Sequence, residues 1–162
     1  MYLGKNPHGT RVIQKIIENF KTDIHAEKFN TSISPYILNL INDVNGNHIV
    51  IKYVNVINSK NNQFIYDIIN KNLLEIASNK HGCCVLQKCI ENASSYQKKN
   101  LIDEVINNTE NLMCDTYGNY VIQYIIALKD QSINYKIANK FKKNITYLSK
   151  QKFSSNVIEK VI

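Results

Sequence analysis

The amino-acid sequence predicts an all-α fold, a right-handed solenoid of three-helix units. The first observation behind this is a hexad, Gly118-Asn119-Tyr120-Val121-Ile122-Gln123. It returns as Gly9-Thr10-Arg11-Val12-Ile13-Gln14, Gly46-Asn47-His48-Ile49-Val50-Ile51, Gly82-Cys83-Cys84-Val85-Leu86-Gln87 and Ser154-Ser155-Asn156-Val157-Ile158-Glu159. The lead positions lie 37, 36, 36 and 36 residues apart, and a fixed period of this size marks a stack of similar units that cannot bury their apolar faces alone. The second observation is apolar spacing of helical period between the hexads. The third is a polar turn before each glycine-led hexad.

Taken in order, residues 1–21 form the last third of a unit. Asn6-Pro7-His8-Gly9 supplies a turn, and Thr10 to Phe20 reads as one helix. Its residues Val12, Ile13, Ile16, Ile17 and Phe20 fall in one arc, the expected buried side, while Thr10, Arg11 and Gln14 share a narrower face. Residues 22–58 form the next unit. A helix near Thr22 to Phe29 is followed by Ser34-Pro35, expected to cap and open a second helix carrying Ile37, Leu38, Leu40 and Ile41. After the turn Asp43-Val44-Asn45-Gly46, a third helix runs from Asn47 to about Ile57.

The same layout recurs over 59–94, with Phe64, Ile65, Ile68 and Ile69, then Leu73, Leu74 and Ile76, then a helix from Cys83 to Ala93. It recurs again over 95–130, with Leu101, Ile102, Val105 and Ile106, then Leu112 and Met113, then a helix from Asn119. A truncated unit, 131–162, closes the chain. Both ends fall inside units and no polar capping repeat is visible, so the expectation is a part of a longer array.

The 162 residues carry a formal charge of +7 and a pI near 9.2, which suits an anionic partner. The excess is greatest at the ends, +3 over 1–21 and +6 over 131–162. A lysine recurs six residues after the lead position at Lys15, Lys52, Lys88 and Lys160, with Tyr124 in the remaining unit. This row is the candidate phosphate contact. No stretch of about 18 apolar residues occurs, and Met1-Tyr2-Leu3-Gly4-Lys5 lacks the apolar core of a secretory signal. A cytoplasmic location is expected.

Cys83, Cys84, Cys89 and Cys114 make no C-x-x-C pair, and Cys83 and Cys84 project about 100° apart on a helix. Neither a zinc nor a disulfide framework is expected, and no metal or cofactor.

Within the hexad the fourth and fifth positions are always apolar and build the common core. The second, third and sixth vary, and their spacing puts them together on one presented face. The five sets are Thr10/Arg11/Gln14, Asn47/His48/Ile51, Cys83/Cys84/Gln87, Asn119/Tyr120/Gln123 and Ser155/Asn156/Glu159. This chemistry suits unstacked bases. A guanine edge offers two adjacent donors, which an acceptor-only Glu159 matches with help from Ser155. The amides of Asn119 and Gln123 can both complement uracil. Gln87 or Gln14 can satisfy adenine, with small Cys83 or Thr10 in close contact. Planar Arg11, His48 and Tyr120 can stack on base faces, each stack contributing roughly 1–3 kcal/mol.

The hexads G-N-Y-V-I-Q, G-T-R-V-I-Q, G-N-H-I-V-I and S-S-N-V-I-E at this step closely resemble the Pumilio/PUF RNA-binding repeats, across essentially the whole chain. By that resemblance the array curves into an arc and looks like repeats three to seven of the usual eight. Single-stranded RNA would run antiparallel along the concave wall, one base per repeat. The family's base code implies G at Ser155/Glu159, U at Asn119/Gln123, A at Cys83/Gln87, U at Asn47 and A at Thr10/Gln14. The core is then 5′-GUAUA. Third-position Arg11, His48, Cys84, Tyr120 and Asn156 would lie between bases.

The resemblance also implies control of messenger RNA through 3′ untranslated regions, with repressor or deadenylase proteins on other surfaces of a monomer. Ile51 and Cys84 depart from the family pattern: Ile51 removes a hydrogen bond at its slot, and Cys84 removes a planar stacking residue. Ser154 for the lead glycine is a milder change. The alternatives are a PUF-like protein binding structured RNA in ribosome assembly, disfavoured by orderly triplets, and an armadillo- or HEAT-like protein scaffold, whose units of about 40–47 residues fit poorly. An enzyme is not expected, because His8, His25, His48 and His81 have no recurring acidic partner and no nucleophile–base pair or phosphate loop is legible.

Overall fold

The computed structural model describes residues 2–161; Met1 and Ile162, the outer bounds of the first and last units, lie outside them. The described residues are 79% helical and contain no strand. Helices α1 (Tyr2–Lys5) and α2 (Gly9–Glu18) belong to the first partial unit. The second unit holds α3 (Asp23–Ile33), α4 (Ile37–Ile41) and α5 (Asn47–Val56), and the third holds α6 (Ser59–Lys71), α7 (Leu73–Ala77) and α8 (Gly82–Asn92). The fourth holds α9 (Ser95–Asn107), α10 (Thr109–Cys114) and α11 (Gly118–Ala127), and the last holds α12 (Gln131–Phe141), α13 (Ile145–Leu148) and α14 (Ser154–Val161).

The units stack in register. One row runs α2, α5, α8, α11 and α14, each packed on the next, and a second runs α3, α6, α9 and α12. Short α4, α7 and α10 bridge the rows. The result is an all-α solenoid of stacked helical units, as expected from the repeat period. Between the rows, the fourth hexad positions Ile49, Val85, Val121 and Val157 are each 0% exposed. Sandwiching by neighbours is what closes them off.

That sandwich is missing on the outer side of α2, where Val12 is 54% and Ile16 50% exposed. The buried arc expected on this helix is therefore only partly buried, with Ile17 enclosed and Ile13 and Phe20 packed against the core. Amphipathic spacing marks an apolar face, but the covering partner is a neighbouring repeat. Val12, Ile16, Phe20 and Phe29 line a groove of about 690 Å³ there.

Ser34 departs from its expected capping role. Its hydroxyl donates backward to the Asn30 carbonyl at 2.6 Å, and Pro35 lies in a 3-10 turn, Ser34–Tyr36, before α4. Capping occurs instead at Asn58, whose side chain accepts from the Asn61 N–H, at Asp130 for α12, and at Ser94, which forms a capping box with Gln97. Buried Gln97 also bonds across the unit boundary, donating to Asn62 Oδ1 at 2.9 Å and the Ser59 carbonyl at 3.1 Å. Asn30 joins α3 to α6 through the Asn61 carbonyl at 2.8 Å and accepts from the Tyr53 hydroxyl.

The lead glycine sets how closely the short helix meets the next one. A Cβ on Gly82 would lie 2.2 Å from the Ile76 carbonyl oxygen, and one on Gly9 would lie 2.2 Å from that of Leu3. Both carbonyls stand six residues before the glycine. In the last unit the equivalent carbonyl is Leu148, and the hydroxyl of buried Ser154 donates to it at 2.6 Å. Serine thus converts a steric problem into a hydrogen bond. Gly82→Ala, which has no such option, is expected to lower stability by about 1–3 kcal/mol through forced backbone displacement, read as a shift in the urea unfolding midpoint.

Candidate nucleic-acid interface

The row α2, α5, α8, α11 and α14 brings all five sets of second, third and sixth hexad residues onto one wall. Third-position Arg11, His48, Cys84, Tyr120 and Asn156 are all exposed. Second-position Thr10, Asn47, Cys83 and Asn119 are buried and Ser155 half-buried; Gln14, Ile51, Gln87 and Gln123 are half-buried and Glu159 exposed. The first four repeats therefore offer a projecting residue flanked by two recessed ones, while in the last Glu159 projects as well.

The second positions share a property that sequence reasoning missed. Each donates inward, to the carbonyl three residues before it. Thr10 Oγ1 reaches Pro7 at 3.4 Å, Cys83 Sγ reaches Lys80 at 3.3 Å and Ser155 Oγ reaches Lys152 at 3.3 Å. Asn47 Nδ2 reaches Val44 at 2.9 Å and also Asp43 at 2.8 Å, while Asn119 Nδ2 reaches Thr116 at 2.9 Å and Asp115 at 2.8 Å.

With both N–H groups committed, Asn119 does not present the free amide donor expected of it; its Oδ1 accepts from Gln123 Nε2 at 2.8 Å. The donor capacity of that pair lies on Gln123. Ile51 cannot make the equivalent bond to Asn47, and its side chain packs partly against the core instead. At Ser155 the inward bond leaves the hydroxyl oxygen as an acceptor, one helical turn from the acceptor-only Glu159.

The turns that aim these residues are built alike. Asn6, Asp43, Asn79 and Asp115 each use one side-chain oxygen to accept two backbone N–H groups, the second from the lead glycine: at 2.9 and 3.0 Å for Asn6, 2.9 and 2.8 Å for Asp43, 2.8 and 3.0 Å for Asn79, and 2.8 and 2.7 Å for Asp115. These bonds satisfy orphan donors at the helix start. Gln151 occupies this place in the last unit. The signal was legible as Asn or Asp three residues before each lead glycine.

The lysine row is more committed than its spacing suggested. Lys15 and Lys52 both bond Glu18, at 3.0 and 2.8 Å, and Lys88 bonds Glu91 at 2.7 Å. Tyr124 follows in the same row, with burial raising its pKa. A phosphate reaching this row must share three of its four lysines with carboxylates. Lys160 has no carboxylate partner among the described residues.

The sequence model of the Pumilio-family RNA binding repeat matches residues 1–26, 72–106, 108–128 and 144–162. The chain belongs to this family of RNA-binding repeat proteins. It is 39% identical over 158 residues to Pumilio homolog 9 of Arabidopsis thaliana, covering 97% of this chain and 28% of the relative. To Pumilio homology domain family member 4 of Saccharomyces cerevisiae it is 42% identical over 144 residues, 86% of this chain and 16% of the relative. Among solved structures, the Puf4 RNA binding domain bound to the HO endonuclease RNA 3′ UTR recognition sequence matches with a TM-score of 0.91 and 40% identity, over 98% of this chain and 50% of that one. The RNA-binding domain of yeast Puf5p bound to SMX2 RNA matches with a TM-score of 0.87 and 30% identity, over 99% and 47%. The chain thus spans about half of these solved domains and less than a third of these relatives. The hexad with Ile51 lies in the interval 27–71 that the family model leaves unmatched.

Two outcomes follow. Asp115→Ala should cost about 1 kcal/mol, as for loss of a helix cap, while Asp115→Asn, the residue used at positions 6 and 79, should unfold near the wild-type midpoint in urea. Separately, Lys52 and then Lys15 hold the Glu18 carboxyl at about 2, well below its ordinary 4.5. A depressed folded-state pKa contributes stability above about pH 4.5 that is lost as pH falls toward 2. Glu18→Gln should flatten the pH dependence of thermal unfolding in that window.

Proposed function

We propose that this chain reads single-stranded RNA one base per repeat, with 5′-GUAUA as its core within a UGUA-type element of messenger RNA 3′ untranslated regions. In this reading Ser155/Glu159 takes G, Asn119/Gln123 takes U, Cys83/Gln87 takes A, the Asn47/Ile51 slot takes U, and Thr10/Gln14 takes A. The exposed residues Arg11, His48, Tyr120 and Asn156 stand between successive bases. Lys15, Lys52, Lys88 and Lys160 meet the backbone. The consequence is post-transcriptional repression or decay by a cytoplasmic monomer that engages repressor or deadenylase proteins elsewhere on its surface.

The observation that carries this reading is the uniform wall: five helices in register, each with its second-position donor turned inward and a different set of outward groups. A protein-binding groove has no need for that repeated commitment. That solved relatives of this chain are bound to 3′ UTR RNA favours the same class of ligand.

A fluorescence-anisotropy titration tests it, using RNA containing 5′-UGUAUAUA against the same RNA with ACA in place of UGU. The expected result is tighter binding to the first, with salt weakening both alike, because phosphate contacts carry no sequence. Equal affinity for both RNAs would overturn modular readout. Joint Ser155→Asn and Glu159→Gln substitution should move preference at that slot from G to U by about 1–3 kcal/mol of discrimination, the scale of one good base contact. Retained G preference would remove the slot assignment. Ile51→Gln should raise selectivity at the fourth slot on the same scale.

A further inference from the structure

The presented face of α8 carries chemistry that base readout does not use. Neighbouring side chains on a helix normally diverge, about 100° apart. Cys83 and Cys84 nevertheless turn toward one point: their thiols donate to the same Lys80 carbonyl, at 3.3 and 3.6 Å, and their sulfurs stand 4.0 Å apart. Cys83 is buried and Cys84 exposed, so the pair has a floor and an open mouth.

We propose that Cys83 and Cys84 form a two-thiolate site for a soft divalent ion of the zinc or cadmium class, placed on the base-reading wall.

The spacing suits chelation better than oxidation. Two sulfurs bound to one tetrahedral ion with bonds of about 2.3 Å lie about 3.8 Å apart, so the observed pair closes on an ion with little movement. A disulfide requires about 2.05 Å between sulfurs, a far larger displacement inside the first turn of a helix. Thiolates select soft ions. Among the described residues, no cluster of three or more His, Cys, Asp or Glu side chains is placed to hold a metal. The protein therefore supplies two ligands, and water or a small thiol completes the shell. Such a site exchanges its ion, unlike a closed four-ligand structural site.

Binding forms two metal–sulfur bonds and releases both thiol protons to solvent. Burial pushes the Cys83 thiol up to about 12, and Asp115 and Cys84 act in the same direction. Because both thiols give up their protons on binding, affinity rises with pH. Lys80 and Lys88 belong to the same turn and helix, and their positive charge opposes a cation. Cys89 is fully buried in the core, and Cys114 lies on α10, off this wall.

Resting on the RNA reading above, a hydrated ion here occupies the third base slot, so ion and RNA exclude each other and each lowers the other's affinity by the same factor.

The test is a Cd²⁺ titration of the reduced chain, followed by thiolate-to-metal charge-transfer absorbance in the ultraviolet. One ion per chain is expected. Cys84→Arg and Cys83→Thr place at these positions the residues of the first hexad, Arg11 and Thr10, and each should abolish the band while circular dichroism stays helical. Cys114→Ser should retain it. An unchanged band in either of the first two variants, or its loss in Cys114→Ser, would overturn the site. Saturating 5′-UGUAUAUA should weaken Cd²⁺ binding at least tenfold in the wild type. Undiminished Cd²⁺ affinity in the RNA-bound chain would remove the site from the base wall. If no RNA binds, the functional reading fails while the titration still decides the metal site.

Discussion

The structure depends on one close contact, the approach of the lead residue of each presenting helix to the carbonyl six residues before it. At Gly82 and Gly9 there is no room for a Cβ, and at Ser154 the added hydroxyl is accommodated only because it hydrogen-bonds the Leu148 carbonyl. This contact fixes the angle between the short helix and the presenting helix in every unit. With that angle repeated, the fourth-position residues Ile49, Val85, Val121 and Val157 fall between neighbours and are sealed off. The apolar faces then stack, and the variable faces all look the same way.

Rigid aiming has a consequence for recognition. The side-chain oxygens of Asp43 and Asp115 fasten the turn backbone, while their carbonyls accept from Asn47 and Asn119. Turn and second-position residue are therefore one hydrogen-bonded unit, and the Asn119 amide oxygen is itself engaged by Gln123. Preorganisation of this kind lowers the ordering cost of binding. Each unit carries its own network, so a change in one slot leaves the others nearly intact, as expected where each repeat contacts only its neighbours. The pairing of Lys15, Lys52 and Lys88 with Glu18 and Glu91 moderates the positive field along the wall.

Much of this was legible in the residues. The period, the three-helix units and the exposure of Arg11, His48, Cys84, Tyr120 and Asn156 follow from spacing alone, because helical periodicity separates an apolar face from a presented one. The capping box was also there to be read, since Ser94 and Gln97 stand at the required separation. The Asx turns were recognised as turns, though not as a device that acts on the lead glycine. Ser34 misled because Ser-Pro before an apolar run is a sound start signal, whereas here its hydroxyl is taken up by the preceding helix.

By itself the sequence determined the all-α repeat, its family and the residues of its presented face, because those properties are written in intervals of one to 37 residues along the chain. The folded geometry, and not the residue type, decided which donors are free. Asn119 has the same two N–H groups in any sequence context, but the turn carbonyls beside it consume both. It likewise decided that Val12 is exposed while Val85 is not, and that Cys83 and Cys84 converge on one carbonyl. Burial and hydrogen-bond commitment depend on what approaches from a neighbouring turn or repeat, and pattern along a single helix does not encode that approach.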